Sequence, residues 1–459
     1  MVDRSKLTKI KIERTFFMIN YSNFCRDLKQ DLTSFLSDTV FNVKASRPIK
    51  KFILDMLWGL LITGSTKISE IARALKENSH LMCSEVRLTT RLSNLTFKVF
   101  HDKLCQYSLS NLSKLPVMIN VDESDIIKPY GFKFEDLSKI HDGSKEGRPK
   151  EKGYNVTGIV SIGLNNTILP LVLNIYSNKT NEKFKIFNTT KTANHLLDIF
   201  KFINDKCLVV LDRGYDGANY LNPIANNGNY YVVRCKENRK YCTTNGFKTI
   251  NDLCKKMKGK YASSFQSASG KIIFQKFTSI KVSHKDFKYD IWLVVESVTN
   301  ENDKRVYLTN IDCSTKEACI KVLKAYRMRW RIEEFFRFIK GEYSFERFMV
   351  RSLNAINNLA FIISLATTYI THLAITKNNA YYKCLNAYKS FKDKYAEDNI
   401  IMKYGESGLM LYRIKRGIQE ILSHCSSMPK VPGRDRTNKN KSKYHQLSIF
   451  EINDSIITL

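Results

Sequence analysis

The sequence predicts an α/β fold, and three features support this prediction. Apolar runs at residues 117–121 and 208–211 have the length and composition of buried strands. Residues 155–175 contain two more apolar runs around a polar turn, which is typical of a β-hairpin. Residues 326–340 instead repeat apolar side chains at helical spacing. Strands and amphipathic helices therefore share one chain, as in a mixed α/β domain.

The predicted elements follow one another in a definite order. A first strand is followed by a hairpin that turns at Asn165 and Asn166, and then by two units of helix and strand. These elements lie at residues 117–122, 155–162, 168–175, 193–204, 208–211, 218–226 and 230–234. The 120 residues between Asp212 and Glu333 are too many for a simple connection. We therefore predict an insertion there, with several strand-like runs.

Two aspartates stand directly after predicted strands. Asp122 closes the run 117–121, and Asp212 closes the run 208–211. Each aspartate alone could be a turn former or a helix N-cap, because Asp favours both positions. Asp125, three residues after Asp122, is an alternative to it.

A glutamate in the helical segment completes this acidic set. Taking Tyr326 as zero on a helical wheel, Arg329 lies at roughly 300° and Glu333 at roughly 340°. Lys340 lies at roughly 320°, whereas Glu334 points away near roughly 80°. Four polar residues thus share one narrow arc beside an apolar stripe, as in a helix that borders a cleft.

Glu333 also has a structural alternative. It could pair with Arg329 or Arg337 at a spacing of four residues, as carboxylates on exposed helices often do. Such a pair does not explain why two aspartates follow strands earlier in the chain. We therefore predict that Asp122, Asp212 and Glu333 form one catalytic, metal-binding site.

The spacing of these helical residues resembles a known signature. Tyr326-x2-Arg329-x3-Glu333-x6-Lys340 is similar to the Tyr-Arg-Glu-Lys signature of bacterial cut-and-paste transposases, the insertion-sequence-four group of the DDE, RNase H-like superfamily. Residues 121–124 and 211–216 resemble the first and second aspartate motifs of the same family. The resemblance extends from about residue 115 to 350. It implies an RNase H-like catalytic core, with which the predicted order of elements is compatible.

The resemblance also implies contacts with DNA. An arginine offers a bidentate fork to phosphate oxygens and a lysine a point charge, so the polar arc suits the terminal phosphates of a DNA end. The predicted DNA-binding residues are Tyr326, Arg329, Lys340, Arg213, Arg337 and Trp292. Trp292 is included because an aromatic side chain can stack on a base. Its alternative is a core position within an apolar strand.

The three carboxylates define the predicted cofactor. They could hold two Mg2+ ions about 3.5 to 4 Å apart, and Mn2+ could substitute because both ions prefer oxygen ligands. A zinc site would favour His and Cys, which this site lacks. The sequence contains no G-x-x-x-x-G-K phosphate loop, so no nucleotide cofactor is predicted.

The sequence therefore predicts a DNA transposase. It would cleave double-stranded DNA at the terminal inverted repeats of its own element and join the ends to target DNA. One metal site can perform both steps, because only the nucleophile changes from water to a DNA 3′-hydroxyl. The resemblance adds a hairpin end and a homodimer in the synaptic complex. The alternatives are a metal-dependent nuclease without strand transfer and a DNA-binding protein with a retired active site.

Charge and composition favour a nucleic-acid partner. Lys and Arg number 74 against 44 Asp and Glu, a net charge of +30 over 459 residues. The apolar stretches 52–62 and 359–366 are too short to span a membrane. Because no signal-peptide pattern appears either, we expect a bacterial cytoplasmic protein that associates with the nucleoid and does not contact a membrane. The eleven cysteines form no C-x-x-C pair and are interpreted as core residues or free thiols.

Five regions are predicted along the chain. They are a helical DNA-binding region, the first part of the RNase H-like core, a β-rich insertion domain, the second part of the core, and a helical C-terminal region with a basic disordered tail, at residues 1–114, 115–235, 236–310, 311–375 and 376–459. The family resemblance implies that the insertion domain helps to shape and hold the DNA end. In the first region, residues 67–75 and 84–92 predict two helices, with Arg87 and Arg91 on one face of the second. They could read DNA, but their connector is long for a helix-turn-helix. A plain helical bundle is the alternative.

Overall fold

The computed structural model describes residues 21–143, 145–183, 188–243, 246–267, 271–299, 304–390 and 410–431. The C-terminal tail that we predict to be basic and disordered lies almost entirely beyond residue 431, outside the described residues.

Helices form the first described part of the chain. They are α1 (Tyr21–Asp38), α2 (Arg47–Thr63), α3 (Ile68–Ala74), α4 (Leu81–Asn94) and α5 (Lys98–Tyr107). The predicted helix pair corresponds to α3 and α4. Arg87 pairs with the fully buried Asp55 of α2 at 2.7 Å and with Glu77 at 2.8 Å. Arg91 donates to the carbonyl oxygen of Pro48. Because both arginines hold neighbouring helices together, these contacts favour the bundle interpretation for this pair.

A mixed sheet follows the helices. Its first strands are β1 (Met118–Ile127), β2 (Ser138–His141), β3 (Lys150–Ile162), β4 (Ile168–Tyr176), β5 (Leu208–Leu211) and β6 (Tyr230–Arg234), and its helices are α6 (Asn178–Lys183), α7 (Asn188–Phe200) and α8 (Ala218–Asn226). The strands lie in the order β4-β3-β1-β5-β6, with β2 also paired to β3. The hairpin of β3 and β4 is antiparallel, and β1, β5 and β6 run parallel. This arrangement confirms the predicted RNase H-like α/β fold.

The predicted hairpin turn has a local cause. Asn165 and Asn166 both have positive φ angles, 58° and 57°. After glycine, asparagine is among the residues that adopt the left-handed region most readily. The polar pair therefore reverses the chain between two buried strands, as the sequence predicts.

Residues 236–310 contain the strands that the sequence predicts, together with one helix. They are β7 (Lys240–Thr243), β8 (Gly246–Thr249), α9 (Ile250–Lys256), β9 (Tyr261–Gln266), β10 (Ile272–Val282), β11 (Ile291–Val298) and β12 (Arg305–Thr309). β12 pairs with β6, and β11, β10 and β9 follow in that order. Most of this segment thus extends the catalytic sheet. Only β7 and β8 form a sheet of their own among the described residues.

The chain then becomes helical again. The elements are α10 (Lys316–Met328), α11 (Trp330–Glu342), α12 (Leu353–Thr376), α13 (Asn379–Ser390) and α14 (410–423). The expectation of one continuous helix through residues 326–334 is wrong, because α10 ends at Met328 and α11 begins at Trp330. Arg329 N–H donates to the carbonyl of Tyr326, and Ile332 N–H donates to that of Arg329. Both bonds span three residues, so the α-helical ladder is interrupted here.

Helix α12 lies at the centre of the largest apolar core. It packs against β4, against α2 and α4 of the N-terminal helices and against α13. Its buried residues share one apolar cluster with residues of α11 and α14. Among the described residues it is the one helix long and apolar enough to cross a membrane, and most of its residues are buried within the protein. Its length and composition therefore fit the interior of this fold.

One cysteine pair differs from our interpretation of the cysteines. Cys25 of α1 and Cys425, just after α14, form a disulfide with their Cα atoms 5.7 Å apart. That separation lies in the usual range for disulfides. The packing of α1 beside α14 brings the two thiols together across 400 residues of chain, so sequence spacing could not indicate the pair. The other nine cysteines are free.

Candidate active site

Parallel strands bring Asp122 and Asp212 to the same edge of the sheet. Val121 of β1 pairs with Leu211 of β5, and each aspartate is the next residue in its strand direction. β5 ends there, whereas β1 continues to Ile127 by pairing with β3. The expectation that the first strand ends at Asp122 is therefore wrong. Asp122 and Asp212 nevertheless occupy equivalent positions, each directly after the last paired residue of the parallel strands β1 and β5.

A glycine lets the third acidic element approach this edge. Gly158 of β3 pairs with Asp122, and a Cβ atom on Gly158 would lie only 2.5 Å from the ring of Phe336 in α11. The missing side chain allows α11 to pack closely over the sheet. Glu333, about one turn before Phe336, is thereby carried to the side of Asp122.

The guanidinium of Arg329 lies among the three predicted carboxylates. It contacts Asp122 at 3.0 Å and Glu333 at 2.6 Å, and its Nε atom lies 4.0 Å from Asp212. The Arg329 side chain is 15% exposed, so these contacts are partly shielded from water. The structure thus brings Asp122, Asp212 and Glu333 together around one positive charge. The ion pair with Arg329 that we weighed for Glu333 is also present.

Tyr326 also faces the acidic group. Its hydroxyl donates to a carboxylate oxygen of Asp212 at 3.3 Å, and its ring packs against Tyr307. Burial raises the pKa of Tyr326 to about 12, so the phenol stays protonated near neutral pH. It can therefore act as a hydrogen-bond donor at this site.

Burial also changes the protonation of the acidic group. It raises the pKa of Asp122 to about 6, although the charge of Arg329 lowers it in part. The nearby charges of Asp212 and Glu333 raise it further. For Arg329, burial alone lowers the pKa, but the surrounding acidic groups raise it overall. The site therefore concentrates negative charge that needs a cation.

Lys340 and Asp125 belong to a neighbouring cluster. The ammonium of Lys340 lies 2.8 Å from Glu346, 3.7 Å from the carboxylate of Asp125 and 2.9 Å from its backbone oxygen. Asp125 also accepts a hydrogen bond from Gly143 N–H. The structure thus does not place Lys340 on the three acids, and it places Asp125 with Lys340 rather than with Arg329. This geometry favours Asp122 over Asp125 as the first acid.

The remaining predicted DNA-binding residues occupy different surroundings. Arg213 is exposed directly after Asp212. Arg337 lies over the ring of Trp330, which is 49% exposed beside Arg329. Trp292 is half-buried against the apolar cluster between the sheet and α10. Its packing favours the core interpretation over base stacking.

Sequence reasoning overlooked Asn120. Its side chain is fully buried in β1, and its Nδ2 donates to the carbonyl of Met328 at 2.7 Å. Met328 is the last residue of α10, immediately before Arg329. The available signal was a polar residue inside the apolar run before Asp122, since an amide is seldom buried there without a partner.

The donor chemistry of the acidic group fits a divalent metal ion. Three carboxylates from separate segments have gathered around one cationic group, and carboxylate oxygens are the ligands that Mg2+ and Mn2+ prefer. In the described parts of the chain, no three such side chains already stand in metal-binding geometry. Asp122, Asp212 and Glu333 are the candidate ligands, and the guanidinium of Arg329 occupies the space between them.

The fold and this site together define a class of protein. An RNase H-like sheet that presents clustered carboxylates beside basic residues is typical of enzymes that cleave and transfer phosphodiesters. The family described as the transposase DDE domain matches residues 135–369, just over half of the chain. The chain therefore belongs to this family of DDE-type insertion-sequence transposases and is an enzyme that acts on DNA. The match includes Asp212 and Glu333, and Asp122 lies just before it. No curated protein matches the sequence.

Proposed function

We propose that this transposase cleaves the terminal inverted repeats of its own insertion sequence and joins the cut ends to target DNA. The observation that carries the proposal is the gathering of Asp122, Asp212 and Glu333 around Arg329. Two metal ions bound there would activate the nucleophile and stabilise the leaving 3′-oxygen of an in-line displacement. The protein is then a member of the insertion-sequence-four group, and each cut DNA end passes through a hairpin intermediate.

The basic and aromatic residues near the acids support an assignment to DNA contacts. Arg213 and Arg337 lie close to the acidic group in sequence, and Tyr326 and Arg329 contact it directly. When a DNA end enters, Arg329 exchanges its carboxylate partners for a phosphate, because its planar fork suits both. Lys340 reaches DNA from its cluster beside Asp125. Two copies of the chain hold two ends, and Mg2+ is the working ion in the bacterial cytoplasm.

The two adjacent glutamates of α11 offer a matched test. Glu333 contacts Arg329, whereas Glu334 is buried and pairs with Arg331 at 2.7 Å. The substitutions Glu333→Gln and Glu334→Gln each remove one negative charge from neighbouring positions. Purified protein is incubated with Mg2+ and labelled DNA that carries the element's own ends, and cut, hairpin and joined products are separated on a denaturing gel.

The proposal expects joined products that are lost with Glu333→Gln and kept with Glu334→Gln. Full activity of Glu333→Gln would show that this residue is not the third acid. Cleavage by the unmodified protein without any joining would support the metal-dependent nuclease. DNA binding that never leads to cleavage would support a retired active site.

A further inference from the structure

A buried amide connects the strand of the first acid to the helix of the third. Asn120 lies between Ile119 and Val121 in β1, and its strand neighbours across the sheet are Val160 and Val210. Its side chain is fully buried in this apolar setting. Because successive side chains of a strand alternate between faces, Asn120 and Asp122 point to the same side of the sheet. That side faces the junction of α10 and α11.

The hydrogen bond of Asn120 satisfies a carbonyl that the helix break leaves free. In a continuous helix, Ile332 N–H would donate to the carbonyl of Met328. Here Ile332 N–H donates to the carbonyl of Arg329 instead. The carbonyl of Met328 accepts from Asn120 Nδ2 at 2.7 Å. The amide of Asn120 therefore supplies the hydrogen-bond donor that the carbonyl of Met328 would otherwise receive from Ile332.

The break determines where two site residues lie. Arg329 is the single residue between α10 and α11, and Glu333 follows in the first turn of α11. A shift of the Met328 carbonyl relative to β1 would move both side chains away from Asp122. The other amide atom, Asn120 Oδ1, has no hydrogen-bond partner among the described residues. Burying a polar atom without a hydrogen-bond partner is unfavourable for folding.

We propose that Asn120 is a positioning residue of the transposase, which holds the α10–α11 junction in the register that sets Arg329 and Glu333 against Asp122. The role rests on the proposed function of the three acids. Asn120 has no proposed contact with DNA or metal. It acts through the Met328 carbonyl alone.

The substitution Asn120→Leu tests this role. Leucine has a similar volume and suits the apolar layer, so the fold is expected to remain intact while the bond to Met328 is lost. The matched control is Asn358→Leu in α12. Asn358 is also buried and donates to two backbone carbonyls, those of Leu92 and Leu95, but it lies in the helical core away from the acids.

Three readouts separate positioning from a general loss of stability. For Asn120→Leu we expect kcat for DNA cleavage to fall roughly 10- to 100-fold, because small misplacements of catalytic groups have effects of this size. The Mg2+ concentration for half-maximal activity should rise about tenfold, as for other residues that orient metal ligands. Mn2+ binding measured by electron paramagnetic resonance should weaken in parallel, with no DNA turnover involved.

The outcomes distinguish this proposal from the proposed function. An Asn120→Leu protein with unchanged kcat, Mg2+ requirement and Mn2+ binding would overturn the positioning role while the acids keep theirs. The same changes in Asn358→Leu would also overturn it, because they would reflect loss of stability. If the unmodified protein does not cleave DNA and Asp122→Asn leaves Mn2+ binding unchanged, both proposals fail together.

Discussion

At the scale of single residues, Arg329 has two tasks that conflict. It neutralises three carboxylates at distances of 2.6 to 4.0 Å, yet a metal ion needs the same oxygens. A guanidinium and a divalent cation cannot both occupy the centre of the site. We infer that DNA phosphate draws Arg329 away and so frees the carboxylates. Metal binding and DNA binding would then support each other.

The substitution Arg329→Gln should separate these two tasks. Without the competing positive charge, Mn2+ should bind the DNA-free protein roughly tenfold more tightly, while joining of DNA ends is lost. Titration followed by electron paramagnetic resonance measures the first effect, and the gel assay measures the second. Arg331→Gln is the control, because it removes the same charge from a residue paired with Glu334. Equal Mn2+ affinities for Arg329→Gln and the unmodified protein would contradict this competition.

The sequence made part of this site predictable. Asp122 and Asp212 follow apolar runs, and the spacing of Tyr326, Arg329 and Glu333 identifies one polar arc. Asn120 was not predictable as part of the site, because its partner Met328 lies 208 residues away in the sequence. In the folded protein, α11 packs over Gly158 of β3, the strand next to the one that carries Asn120.

At the scale of elements, a buried network of polar side chains joins the sheet to α10 beside the acidic site. Arg327 donates to Glu296 at 2.6 Å and to Gln275, and Glu296 also accepts from the hydroxyl of Tyr307. Glu296 is almost fully buried in β11. These contacts anchor the end of α10 to strands of residues 236–310. Residues 236–310 therefore contact α10 directly, next to Tyr326 of the acidic site.

Loss of Glu296 should destabilise the protein strongly. Glu296→Ala leaves the guanidinium of Arg327 without its buried partner, and such losses lower the free energy of unfolding by roughly 3 kcal/mol. Chemical denaturation monitored by tryptophan fluorescence measures the change. Asp290→Ala is the control, because Asp290 and Lys281 form an exposed pair at 2.6 Å, whose removal should cost no more than about 0.5 kcal/mol. Equal effects of the two substitutions would contradict this account of the network.

A second element-scale prediction concerns α7 and α5. The pKa of His195 in α7 is lowered to about 4, mainly by burial and in smaller part by the nearby His101 in α5. In the unfolded chain the imidazole of His195 therefore takes up a proton near pH 6.5, whereas in the folded protein it does so only near pH 4. Stability from this group is complete above pH 6.5 and is lost as the pH falls towards 4.

The substitution His195→Gln should flatten that pH dependence. We expect the unmodified protein to lose about 3 kcal/mol of unfolding free energy through this group between pH 7 and 4, and the variant to lose correspondingly less. Urea denaturation at a series of pH values measures the slope. His141→Gln, at an exposed position, is the control for the exchange of histidine for glutamine. A slope that is the same with and without His195 would refute the assignment.

The elements differ in how far sequence reveals them. The hairpin at Asn165 and Asn166 was predictable, because the residues that need left-handed backbone are themselves the signal. The break at Arg329 was not, because residues 326–334 include few helix breakers and the break depends on the distant Asn120. The continuation of the sheet through β12 also depends on pairing with β6, which no local pattern specifies.

At the scale of the whole molecule, the net charge of +30 dominates encounters with DNA. Release of counterions makes such binding weaken steeply with salt, and we expect affinity for non-specific duplex to fall at least about a hundredfold between about 50 and 200 mM salt. Fluorescence anisotropy measures the dependence. An uncharged peptide nucleic acid duplex of the same sequence should not bind. A flat salt dependence would show that phosphate contacts do not drive the association.

On the whole molecule, we expect Asp122, Asp212 and Glu333 to bind one metal centre when DNA is present. Fe2+ in place of Mg2+, with ascorbate and peroxide, generates hydroxyl radicals that cut the polypeptide close to the bound ion, and mass spectrometry locates the cuts. On the complex with a DNA end, we predict cuts beside residues 122, 212 and 333 that excess Mg2+ suppresses. Cuts confined to other positions, such as the cluster of Asp125, Lys340 and Glu346, would contradict the claim.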